Sequence, residues 1–339
     1  MKKKILLGVL TLVLALGIAL GYVFLSGGNE EEKPGGSFKS PEGSDSGKIR
    51  ISSTTGLAFE GEYKPVLAVI ENAPSARPQT GLQVADVVYE VPVEGSVTRF
   101  VAVYSDKVPE KILPVRSGRA PFLYIQAEWD ALFMHFGGSG SGQSNPAAYT
   151  FYGNSLHSKI KIDLEGLTGT KNGIFQRVTS KAAPHNVQGN PLLAQGLYDY
   201  QPKPLSWRFD STIYYPDGVA TEVNIPMTTS VQNFVSYTYD SNLGSYLRFM
   251  SGKPFLEGAD NSQIKVKNVI VQHAAYTTKG SVYKDWQLVG SGKAEYYIGG
   301  MLVQGSWSKE SATAPTQYLD AAGSPMVFKP GNTWIHITQ

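Results

Sequence analysis

The 339-residue chain has no cysteine. Disulfides, thiol nucleophiles, thiolate metal sites and iron–sulfur clusters are therefore excluded together. Charge is scarce as well: Asp, Glu, Lys and Arg make up 17% of the residues, against about 25% in an ordinary soluble domain. The 30 Lys and Arg nearly cancel the 28 Asp and Glu, so a phosphate backbone finds no general attraction and nucleic acid is not expected as a partner. The five histidines, His135, His157, His185, His273 and His336, show no HxH or HxxxH spacing, so no local metal-ligand pair exists and no metal is expected. Neither a GxSxG elbow nor a P-loop occurs, since the glycine-rich run from Gly137 to Gln143 lacks the Lys-Ser/Thr ending. No cofactor is implied.

What is abundant is turn chemistry. Gly (36) and Pro (20) together with 19 Tyr suit a sheet protein better than a helix bundle. At the N-terminus, Lys2, Lys3 and Lys4 precede an apolar run from Ile5 to Leu25, about the length needed to cross a hydrocarbon core of roughly 30 Å. This reads as an uncleaved signal-anchor with a cytoplasmic start, which puts the bulk of the chain on the extracytoplasmic side of a single-pass membrane protein. A cleaved signal is the competing reading, weakly supported by Ala19-Leu20-Gly21. Residues 27–56 read as a disordered linker, polar and poor in core-forming side chains.

The expected fold is α+β in two parts. Residues 57–205 form a mixed α/β domain. PVLAVIE (Pro65–Glu71) is a buried-strand pattern, and two β-rich runs flank a turn at Glu94-Gly95-Ser96. APFLYIQAEWD (Ala120–Asp130) has helical spacing, ALFMHFGG (Ala131–Gly138) returns to strand, and PLLAQGLYDY (Pro191–Tyr200) is a short helix. From residue 206 to 339, short strands and turns alternate at spacings near ten, which predicts a mainly antiparallel β domain, a sandwich or open barrel.

Long segments carry a resemblance. ARPQTGLQVADVVYEVPVEGSVTRFVAVY (Ala76–Tyr104), PVRSGRAPFLYIQAEWDALFMHFGGS (Pro114–Ser139), APHN (Ala183–Asn186) and the stretch from Gly305 to Ile337 resemble the YerB-like family of bacterial exported lipoproteins. The resemblance covers nearly everything after the linker. It implies two domains and an extracytoplasmic location, but little chemistry, because that family has no assigned function. Two departures stand out. LSGG (Leu25–Gly28) looks like a lipoprotein signal with Gly28 in the cysteine position, which rules out diacylglycerol attachment. RSGRA has Gly118 and Ala120 where the family pattern RSARP is expected, leaving both arginines in place.

The densest polar group lies in the first domain: Arg77, Glu90, Glu94, Arg99, Arg116, Ser117, Arg119, His135, His185 and Asn186. Arg116 and Arg119 flank the start of the 120s helix, where free N–H groups and planar guanidinium forks favour anions. Gly137 and Gly138 would let backbone approach a ligand beside His135. His185 lies in a proline-containing loop, where functional residues concentrate. The competing reading pairs the arginines with Glu90 or Glu94 to knit the strands. Asp163 and Glu165 are a further carboxylate pair on one strand, of the kind glycan hydrolysis needs.

Two functions follow. The first is a membrane-tethered binding or scaffold protein that engages cell-wall polymer or an envelope protein. The second is an envelope hydrolase acting on an anionic or glycan substrate through an Arg/His pocket. A hydrolase requires His135 and His185 to face one concavity.

Overall fold

The computed structural model describes residues 49–139, 151, 154–167, 172–205, 207–216, 218–228, 234–279 and 282–339. The apolar run at 5–25, the linker up to residue 48 and the loop beyond Ser139 lie outside the described residues. Among the described residues no helix is long and apolar enough to cross a membrane.

Apolar runs without alternation become strands buried on both faces. The strands β1 (Val66–Glu71), β2 (Val87–Pro92) and β3 (Thr98–Tyr104) are buried at every position. β2 and β3 form the expected hairpin, with Gly95 at φ 68° in its turn, a left-handed conformation that glycine adopts freely. After helix α1 (Ala120–Trp129) come β4 (Leu132–His135) and β5 (Asp163–Glu165), then β6 (Phe175–Arg177), β7 (Val187–Gly189) and helix α2 (Pro191–Leu197). Asn190 caps α2 through its side chain, and Pro191 occupies the first turn, where a missing N–H costs nothing.

The second half supplies β8 (Glu222–Ile225), β9 (Val235–Asp240), β10 (Ser245–Met250), β11 (Lys265–Val266), β12 (Asn268–His273), β13 (Gly290–Ile298), β14 (Met301–Lys309), β15 (Gln317–Asp320) and β16 (Thr333–Thr338). These strands do not close on themselves as a sandwich or barrel. The last strand, β16, lies between β12 and β2 and is parallel to both. One 11-stranded mixed sheet therefore runs β14-β13-β12-β16-β2-β3-β1-β4-β5 through both halves of the chain, with Gly218–Val219 and β15 on β14. The molecule is mainly β with few helices. The physical reason is in β16 itself: TWIHIT is buried at every position, so it needs a strand on each side.

The two faces of this sheet bury different layers. On one face, Ala68, Val88, Phe100, Ala102 and Trp334 pack with Val223, Val235, Tyr237 and Val266 of a smaller antiparallel sheet built from β8, β9, β10, Lys253–Pro254 and β11. On the other, Leu67, Val101, Phe133, Ile335 and Tyr296 pack with Phe122, Leu123 and Trp129 of α1 and with Trp307 and Phe328.

The described end of the expected linker, residues 49–56, is held to the fold. Arg50–Ile51 pairs with Ala58–Phe59, and Ser52, Thr54 and Thr55 are buried. The Ser52 and Thr55 hydroxyls donate to Asp106, which ties this polar stretch to the end of β3.

Candidate functional site

Glu71 closes the apolar run of β1, a carboxylate carried into the interior by the strand that precedes it. Its side chain is 4% exposed. Arg116 Nε donates to Glu71 Oε2 at 2.7 Å, and Arg99 Nε lies 3.8 Å from Oε1. Arg99 continues to Glu94, with Nη2 3.6 Å from Oε1, and Glu94 accepts Arg119 through both of its oxygens. The result is an alternating chain Arg116–Glu71–Arg99–Glu94–Arg119: three guanidinium groups on two carboxylates.

Burial sets the electrostatics of this chain. It opposes ionisation of Glu94, yet the hydrogen bonds and charge of Arg119 outweigh it and hold the carboxyl down to about 2. Burial likewise works against Glu71, and Arg99 and Arg116 bring it below the ordinary carboxylate range. Arg99, fully enclosed, is drawn down to about 9 by burial and then by its like-charged neighbour Arg119.

The two ends of the chain differ. At one end, Arg119 also donates to the Gly118 carbonyl at 2.8 Å and lies 5.4 Å from the Tyr283 ring centre, so its fork is filled. The expected anion cradle at the start of α1 is therefore not assembled, because Glu94 already occupies it. At the other end, Arg116 is 24% exposed and spends only Nε on Glu71. Close by, His185 Nε2 lies 2.9 Å from the Ser75 hydroxyl, and Lys181 donates to the Ala76 carbonyl at 3.0 Å. Burial lowers the pKa of His185, and the charges of Arg116 and Lys181 act the same way against Glu71. Asn186, next in the chain, turns to Arg177 and the Val178 carbonyl instead.

His135 belongs to a separate place. It is fully buried, with Nδ1 2.7 Å from the Gly137 carbonyl and Nε2 2.8 Å from Asp163. Both ring nitrogens face acceptors, so both carry protons and the ring is an imidazolium. Burial opposes that charge, but Asp163 outweighs it and raises the pKa. Asp163 also takes His157 Nε2 at 3.0 Å, while Glu165 accepts the Gly137 and Leu167 N–H groups. The carboxylate pair is thus divided between fixing histidines and fixing a turn. Gly138 is buried, and Ser117 donates to the Phe136 carbonyl. Gly118, the departure from the family pattern, has a reason here: a Cβ would meet the Phe151 ring at 2.9 Å, with His135 Nδ1 at 3.5 Å.

Arg77 belongs to a third group, in the core. Its Nε donates to Asn72, whose amide donates onward to Glu90 at 3.1 Å. Glu90 and Arg248 are both 0% exposed and pair at 2.7 Å. Arg248 also donates to the Tyr237 hydroxyl, which lies 2.8 Å from His336 Nε2. Since Tyr237 accepts from Arg248, its proton goes to Nε2, and the neutral ring of His336 carries its own proton on Nδ1. That nitrogen is 3.2 Å from Glu90, off the hydrogen-bond line. The guanidinium lies 4.6 Å from the Trp334 ring centre and 4.7 Å from that of Phe255. Glu71 and Arg248 were not singled out from sequence. Their only signal is a charge inside an apolar strand pattern, PVLAVIE and SYLRFM.

Among the described residues no group of three or more His, Asp or Glu is placed to hold a metal ion. A cavity of about 730 Å³ lies elsewhere, beside the first described residues.

A mainly β protein in which both halves share one sheet has relatives of known family. Residues 54–202 match the N-terminal domain of the protein family of unknown function DUF3048, and residues 223–335 match its C-terminal domain. The chain belongs to that family. It is 28% identical over 312 residues to the protein named "Putative lipoprotein YerB" of Bacillus subtilis (strain 168), covering 86% of this chain and 87% of that one. The crystal structure of YerB protein from Bacillus subtilis superposes with a TM-score of 0.70 at 28% identity, over 84% of this chain and 95% of that one.

Proposed function

We propose that this is an envelope protein, held at the outer face of the cytoplasmic membrane by its N-terminal apolar segment, whose folded part binds an anionic cell-wall polymer at the Arg116 margin. Kinship with a protein named as a lipoprotein supports the envelope location. One observation carries the binding site: the alternating charge chain ends in Arg116, whose two outer amino groups have no hydrogen-bond partner among the described residues, beside Lys181 and His185. The local count is four cations (Arg99, Arg116, Arg119, Lys181) to two carboxylates (Glu71, Glu94), so an anion completes the balance. The hydrolase reading has no such support, because His135 is enclosed with Asp163 while His185 borders the Arg116 margin.

The test is titration of the full chain, in detergent, with purified cell-wall fragments. Binding is expected, and a fragment present at about 100 times its Kd should raise unfolding stability by about 2.7 kcal/mol. Arg116→Lys keeps the charge and removes the fork, and is expected to abolish the gain. A gain that survives Arg116→Lys, or a parent chain that ignores the fragments, sinks the proposal.

A further inference from the structure

Apart from the arginine groups, the cavity of about 730 Å³ beside Ile49 has a composition of its own. Its lining combines apolar Leu57, Phe59 and Val84 with Lys107, Lys265 and Lys267. Large apolar side chains stand in solvent around it: Ile49 is 67% exposed, Leu57 47% and Val84 40%, and Leu243, whose carbonyl accepts Lys267, is 48% exposed. Exposed aliphatics grouped with lysines are not what a surface facing only water selects.

Of the charged groups in this lining, Lys107, Lys265 and Glu60 are exposed, whereas Lys267 and Asp106 are half-buried and Asp86 is buried. Asp86 and Asp106 also line the cavity, but Asp86 accepts the Ser105 and Asp106 N–H groups, and Asp106 accepts the Ser52 and Thr55 hydroxyls. Their oxygens are spent on the protein. Glu60 is the remaining carboxylate of the lining. Lys107 and Lys265 are exposed, and their ammonium groups make no hydrogen bond among the described residues, while Lys267 is fixed by the Leu243 and Gly244 carbonyls. Gly331 makes room for that last lysine, since a Cβ there would meet its stem at 2.3 Å.

Position decides what such a surface meets. Ile49, the first described residue, lines this cavity, and only residues 26–48 separate it from the end of the apolar run at Leu25. For a stretch of that length and Gly/Ser-rich composition, the coil estimate of the root-mean-square span is about 26 Å. Ile49, at this cavity, is the described residue closest along the chain to the apolar run, and anionic headgroups attract lysines within about a Debye length, ~10 Å.

We infer that this cavity and its rim are a docking surface for the anionic phospholipid bilayer itself. The exposed aliphatics enter the headgroup–acyl boundary, and Lys107 and Lys265 meet lipid phosphates. The inference rests on the membrane-tethered reading above and goes beyond it by orienting the fold on the membrane.

The absence of cysteine makes a clean experiment. Val84→Cys, labelled with an environment-sensitive fluorophore, is introduced into the full chain and reconstituted in nanodiscs of phosphatidylcholine, with or without phosphatidylglycerol. Leu197→Cys, exposed and outside the cavity lining, is the control. Co-elution with both discs tests the tether. The label at position 84 is expected to shift to the blue only in the anionic discs, and each of Lys107→Gln and Lys265→Gln is expected to lower the docked-to-undocked ratio about fivefold. Co-elution without a blue shift overturns docking and leaves the tether standing. Failure to co-elute overturns the tether, and docking then falls too unless the same chain sediments with phosphatidylglycerol vesicles. A blue shift equal in both discs, or already present in detergent, also overturns it, since the cavity would then hold another part of this chain.

Discussion

Arg248 and Arg116 carry the same guanidinium into very different settings. Arg248 is 0% exposed, shares a ring of polar contacts with Glu90, Tyr237 and His336, and lies between aromatic rings. Arg116 is 24% exposed and gives one nitrogen to Glu71. The first cluster joins the two halves of the chain, since Glu90 lies on β2 while Arg248 and His336 lie on β10 and β16. The second lies within the first half and ends in an unfilled fork. The difference teaches that an arginine's role is read from what occupies its remaining donors. A filled, enclosed fork locks strands together, whereas a partly used one at a margin keeps donors open.

Acid is the broadest way to break both clusters. Glu90 and Glu94 each fall from the ordinary 4.5 to about 2, burial being outweighed by Arg248 for one and Arg119 for the other. A depressed carboxyl contributes stability that is fully present above its unfolded value and is lost as pH falls through its folded value. Stability is therefore expected to decline between about pH 4.5 and 2, followed by tryptophan fluorescence. Glu94→Gln should make that decline shallower, and an unchanged slope would deny Glu94 its partner.

Among single substitutions, Arg248→Ala is expected to cost most, about 3–5 kcal/mol, because it leaves Glu90 buried and unpaired. Replacing both partners together, Glu90→Leu with Arg248→Met, should cost less than either single change in urea titrations. Arg119→Ala is expected to cost about 1.5–3 kcal/mol, the range for charge-assisted hydrogen bonds. At the bottom of the scale, His185→Ala removes one hydrogen bond at a half-buried position and should cost about 1 kcal/mol. A larger loss there than at Arg119 would invert the comparison, making the Arg116 margin the structural element.

Much of the first half was legible. β1, the β2–β3 hairpin, α1, β4 and α2 follow from apolar runs, helical spacing and turn residues close to where the structure has them. The second half was legible as strands but not as an arrangement. Ten-residue spacing cannot say that β16 leaves its own hairpins and enters between β12 and β2. Of the candidate site, the pairing of Arg119 with Glu94 was among the readings open from sequence, whereas that of Arg116 with Glu71 was not. His135 and His185, 50 positions apart, look equivalent in sequence, yet one is enclosed and the other borders the Arg116 margin.

The sequence alone determined the chemistry that is excluded, the strand-rich character and the residues capable of binding an anion. Those properties are local: they depend on residue type, period and turn chemistry. Tertiary structure decided which carboxylate met which arginine, and that the two halves would share one sheet. These depend on contacts between residues far apart in the chain, such as Glu90 with Arg248, 158 positions later. A buried charge takes whatever partner the fold brings within reach, because an unpaired one is too costly to leave.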